Sequence, residues 1–185
     1  MSTAAELRAQ RRELSREMRD ASGREIIEAA FTLPRFIAYE LIQHHREAPS
    51  LMNERLLRKL ARTLDSWDAV DMFSMYLAGP AWRDGRIDAS VIEKWTRSSD
   101  RWWRRAALVS TVPLSRVKRT KEALAICKLL VADRDDIVVK AMSWAVREAS
   151  KKDAKAAQRF IDEHDVAARV RREVTAKIRT GLKNG

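Results

Sequence analysis

Cysteine is almost missing from this sequence. Cys127 stands alone among 185 residues, so no internal disulfide can form and a reducing, cytoplasmic setting is expected. It lies in the apolar run Ala123-Leu124-Ala125-Ile126-Cys127 and reads as a core residue. Only five glycines and four prolines occur, too few punctuators for a turn-rich β fold. No apolar run reaches the length of a membrane span. Residues 1–6 lack the apolar segment of a secretory leader. No Gly-rich phosphate loop, HExxH or CxxC occurs. Adjacent His44 and His45 would point different ways on a helix, with His164 far off in sequence, so no metal site is expected.

What is present is positive charge and helical spacing. Thirty-seven Lys and Arg against 26 Asp and Glu give a formal charge of +11, which favours a polyanionic partner. Apolar residues make up 45% of the chain, enough for the core of one domain. Residues 1–23 read as a charged N-terminal helix or arm, its Leu7, Leu14 and Met18 forming one thin stripe too narrow for a membrane binder. Residues 24–185 read as a train of short helices: 24–31, 35–46, 53–64, 65–78 ending at Gly79-Pro80, 88–96, 100–112, 120–132, 135–149, 153–163 and 165–181. Trp67, Trp103 and Trp144 recur at 36 and 41 residues, close to the period of stacked helical pairs. The expected fold is all-α, a single-domain α-solenoid of HEAT-like repeats with a concave basic face.

Three short motifs carry chemistry. In Ser66-Trp67-Asp68-Ala69-Val70-Asp71, Trp67 and Asp71 share a helix face at i and i+4. They line either a cleft wall or a packed Trp beside an exposed Asp. In Trp102-Trp103-Arg104-Arg105, Arg105 stands among apolar neighbours and needs a carboxylate or a phosphate as partner. Arg104 reads as solvent-facing. In Lys140 to Glu148, Lys140, Trp144 and Arg147 form a cation–aromatic–cation stripe beside an apolar face. That stripe suits a phosphate backbone, or is a solvated face with a half-buried Trp.

Taken together, in this order and at these distances, the motifs resemble the DNA alkylation repair (AlkD-like) family of HEAT-like-repeat DNA glycosylases. The family pattern has a Trp-x-x-x-Asp helix, a Trp-x-x-Arg helix start and a Ser/Gly-Trp-x-x-Arg-Glu helix. Here these are Trp67 with Asp71, Trp102 with Arg105, and Trp144 with Arg147. The likeness runs on through Arg171-Arg172-Glu173 and covers about residues 24–180. The first repeat looks reduced beside fuller members. The resemblance implies excision of cationic alkylated purines from double-stranded DNA by a monomer, without metal or cofactor. Asp71, Trp67 and Trp144 would be catalytic, and Arg105, Arg147, Lys140, Arg171 and Arg172 would hold DNA. The alternative is a non-catalytic DNA-binding protein of the same fold that recognises damaged or structured DNA.

Overall fold

The computed structural model describes residues 4–61 and 64–183. Among them every regular element is a helix: α1 (Ala4–Glu17), α2 (Gly23–Ala30), α3 (Arg35–His44), α4 (Glu54–Leu60), α5 (Trp67–Phe73), α6 (Gly79–Arg83), α7 (Ala89–Thr96), α8 (Arg101–Arg116), α9 (Thr120–Lys128), α10 (Asp136–Ser150), α11 (Ala154–Glu163) and α12 (Ala168–Thr180). The expected all-α, single-domain solenoid is what the chain forms. No described helix is long and apolar enough to cross a membrane. Residues 62–63, at the end of the helix expected over 53–64, lie outside the described residues.

The helices form two layers. In the first, α3, α5–α6, α8, α10 and α12 each pack on the next, with α1 against α3. Contacts run in step: Asp71 meets Arg105 early in α5 and α8, and Arg116 lies near Glu148 late in α8 and α10. These helices are therefore parallel, and each return passes through a helix of the second layer (α2, α4, α7, α9, α11). The first-layer helices from α3 to α12 begin at residues 35, 67, 101, 136 and 168. The repeat is thus 32 to 35 residues, shorter than the tryptophan spacing implied. Trp67 opens α5 but Trp144 lies midway along α10, so the three tryptophans do not mark equivalent positions.

Helix starts follow local chemistry. Ser22 and Glu25 form a reciprocal capping box on α2. Asp100 and Asp135 each accept the amide two residues on, at 2.8 and 3.0 Å, opening α8 and α10. Helix α8 is buried on all sides from Arg105 to Ser115. It is the spine on which α5–α6 and α10 close.

Two expected stops are not stops. The helix begun at Trp67 passes through Gly79-Pro80 to Arg83 by widening into a π turn over Ser74–Ala78. There the Gly79 amide donates to the Ser74 carbonyl, five residues back. Gly79 is required by close approach: a Cβ would lie 2.7 Å from Pro113 Cγ and 2.8 Å from the Ser110 carbonyl oxygen. Likewise α8 runs through Pro113 to Arg116. Its burial supplies the packing that offsets a missing amide and a proline ring, together about 3 kcal/mol.

Candidate nucleic-acid interface

Asp71 occupies the second turn of α5. Val70 and Phe73 on that helix are fully buried and anchor it to the core. Phe73 stacks into an aromatic cluster with Tyr39, Trp95 and Trp103 at ring separations of 5.9 to 6.3 Å. That anchoring fixes which way Asp71 points. Both its carboxylate oxygens accept from Arg105, Nε and Nη2 each at 2.8 Å. The remaining Arg105 nitrogen, Nη1, donates to the Ile137 carbonyl at 2.7 Å in the first turn of α10. One guanidinium therefore ties three first-layer helices together.

The partner of Arg105 is a carboxylate. All three of its nitrogens are engaged and its side chain is 7% exposed, so it offers no free face to a phosphate. Burial raises the Asp71 carboxyl above its ordinary pKa; the Arg105 hydrogen bonds and charge pull it down, and Asp68 adds to the rise. Two N–H donors to two oxygens still fit the ionised form. Trp67, one turn before Asp71, is 61% exposed. Its indole is thus presented to solvent beside a half-buried carboxylate.

The α10 stripe divides. Lys140 is exposed and pairs with Asp136 one turn back, at 2.6 Å. Trp144 is half-buried and packs on the core. Arg147 is turned towards α12: its Nε lies 3.3 Å from Ser143 Oγ and 3.6 Å from Glu173. Its terminal nitrogens carry no hydrogen bond among the described residues. Burial lowers the Arg147 pKa, with Glu173 and Glu148 opposing. The rings of Trp67 and Trp144 make no contact with each other among the described residues.

Sequence reasoning assigned no role to the groups that hold this stripe. Glu173 is buried; it accepts from Ser143 Oγ at 2.6 Å and from Arg169 Nε at 3.0 Å. Burial pushes its carboxyl up, but Ser143, Arg169, Lys183 and Arg147 together hold it below the ordinary range. Arg169 also reaches Asp136, at 3.0 Å, and so joins α12 to the first turn of α10. The i, i+4 spacing of Ser143 with Arg147 and of Arg169 with Glu173 was the available signal. Arg171 is exposed and donates to the His164 carbonyl at 3.2 Å, while Arg172 projects from α12 into solvent. Arg104, expected to face solvent, instead clamps a loop: its Nε donates to Asp133 at 2.7 Å and Nη1 to the Ser98 and Ser99 carbonyls.

A family model described as "DNA alkylation repair enzyme" matches residues 3–178. The chain belongs to this family. A solved structure titled as a predicted DNA alkylation repair enzyme from Enterococcus faecalis has the same fold. It superposes with a TM-score of 0.75 at 16% identity, over 96% of this chain and 86% of that one. No curated protein matches. The family assignment makes DNA alkylation repair the coarse function and DNA the substrate class.

Proposed function

We propose that this protein is a DNA N-glycosylase that releases purines made cationic by ring-nitrogen alkylation. The observation that carries the reading is the Asp71–Arg105 pair: a carboxylate fixed on three helices, with exposed Trp67 one turn away. A ring-alkylated purine leaves as a neutral base, taking the electron pair of the breaking N-glycosidic bond. No general acid is needed. The sugar left behind is an oxocarbenium-like cation. An ionised carboxylate stabilises that charge and orients the water that adds to C1′; an indole face adds a cation–π contribution.

Arg105 acts here as a positioning residue. Arg147 and Lys140 offer phosphate contacts on α10, with Arg171 and Arg172 further along the backbone on α12. Trp144 would lie against the sugar. The helical repeats would present these groups on a concave face. A second reading, a DNA-binding protein that recognises lesions without excising them, draws on the same pair, because both Asp71 oxygens already accept hydrogen bonds.

Release of 7-methylguanine from methylated duplex DNA separates the two. The wild type releases the base, and Asp71→Asn slows release about a hundredfold with DNA affinity kept, the cost of one electrostatic contact in an active site. Equal release by both proteins removes Asp71 from the mechanism. DNA binding without release by the wild type selects the second reading.

A further inference from the structure

A cavity of about 310 Å³ opens where the C-terminal ends of α3, α6 and α8 meet, lined by Gln43, Tyr76, Pro80, Arg86, Pro113 and Arg116 among others. We propose that it binds a single nucleobase together with its phosphate.

Three observations converge there. The first is hydrogen-bonding capacity. Gln43 Oε1 and Arg86 Nε are buried atoms with no partner among the described residues. Such groups destabilise the fold unless satisfied. Both residues line the cavity, and turning these atoms into it would present them to one ligand donor and one ligand acceptor. A base edge provides both, and an amide side chain paired to the N6 and N7 edge of adenine is an established geometry.

The second is shape. Tyr76 supplies a ring, and Pro80 and Pro113 supply flat apolar walls. The volume is at the lower end of the ~300–1,000 Å³ of small-ligand sites. That holds one nucleotide and excludes a base pair.

The third is charge. Arg83, Arg86 and Arg116 line the cavity against the single acid Asp84. Asp84 takes Arg83 bidentately at 2.6 and 2.9 Å and Arg86 at 3.0 Å. Among the described residues Arg116 has only Glu148, at 4.0 Å, and it is mostly exposed, so it is left to meet a phosphate.

Placement fits a DNA strand already on the protein. Tyr76, Pro80 and Arg83 turn away from Phe73, Leu77 and Ala81, which bury α5–α6 in the core. At 1.5 Å per residue, Tyr76 and Arg83 lie about 7 and 18 Å along that helix from Asp71. Along the axis that is about two to five nucleotide steps at ~3.4 Å per step, and the two residues lie roughly 120–140° round the helix from Asp71. The cavity would take a neighbouring unpaired base. The DNA source rests on the function proposed above, whereas the cavity's own chemistry would also accept a free nucleotide.

The test measures three affinities of the full chain, wild type and Gln43→Leu: for a paired duplex, for the same duplex with one unpaired adenine, and for dAMP by calorimetry. The wild type is expected to bind the bulged duplex about tenfold tighter than the paired one. Gln43→Leu should bind both as the wild type binds the paired one, which also shows that the variant is folded. Gln43-dependent binding of dAMP without bulge preference assigns the site to a free nucleotide. The same result with no affinity for paired duplex upholds the cavity while removing the glycosylase reading. Identical behaviour of both proteins with all three probes overturns the proposal, as does a wild type that neither prefers the bulge nor binds dAMP.

Discussion

Replacing Arg105 by methionine keeps much of its volume and deletes every donor it offers to Asp71 and Ile137. Removing one partner of a buried ion pair costs about 3–5 kcal/mol, because the other charge is left desolvated. The Asp71 side chain keeps 17% exposure, so water softens the loss and the lower end, about 3 kcal/mol at pH 7, is expected. Part of this, about 1 kcal/mol, is the bond to the Ile137 carbonyl and does not depend on Asp71. Burial already raises the Asp71 carboxyl, and Arg105 is what holds it down. Without Arg105 it rises further. A group whose folded-state pKa is raised leaves the protein more stable below its unfolded pKa, and that stability is lost as pH rises through the folded value. The Arg105→Met deficit should therefore be largest at neutral pH and shrink towards about 1 kcal/mol as pH falls into the ordinary carboxylate range. Urea unfolding of wild type, Arg105→Met, Asp71→Asn and the double variant at both pH values measures this directly. In the Asp71→Asn background the arginine should be worth about 2 kcal/mol less, the difference between the figures above. An equal cost of Arg105→Met in both backgrounds, or at both pH values, would refute the idea that Arg105 exists to hold a buried carboxylate.

Three further outcomes follow from the same geometry. Gly79→Ala should cost about 1–3 kcal/mol of overpacking against Ser110 and Pro113, more than the ~1 kcal/mol that alanine gains in a helix; thermal unfolding should show a midpoint several degrees lower. Glu173→Gln should lower stability by about 3 kcal/mol at pH 7, since Ser143, Arg147 and Arg169 converge on that carboxylate. Because the Glu173 pKa is depressed, its stabilisation is present above the unfolded value and lost as pH falls through the folded one; the two unfolding curves should converge in acid. Trp67→Ala, at an exposed position, should move stability by no more than about 0.5 kcal/mol yet reduce base release, and a variant that unfolds early instead would show Trp67 to be a packing residue.

The helical array was legible because burial imposes a 3.6-residue period on most of the helices, α8 being buried all round, and because Asp100, Asp135 and Asn53 mark helix starts in residue identity alone. Helix ends were less legible. Gly79-Pro80 and Pro113 are breakers by local preference, and only tertiary contact reveals that α6 needs a glycine where it crosses Ser110 and Pro113 of α8. The site shows the same division. Spacing put Trp67 with Asp71 and Trp144 with Arg147, since such pairs lie within one helix. It could not choose a carboxylate or a phosphate for Arg105, because the chosen Asp71 is 34 residues away. Nor could it show that Arg147 is held from α12 by Glu173. Both arginines lie at seams between first-layer helices, and each is held by an acid of a neighbouring helix. Repeat stacking thus sets the position of Asp71 and the aim of Arg147 together: a shift of α10 against α8 would move the Ile137 carbonyl from Arg105 and Arg147 from any backbone it meets. On the function proposed above, DNA pressed along the first layer would act on both contacts at once and so would couple grip on the backbone to the setting of the carboxylate.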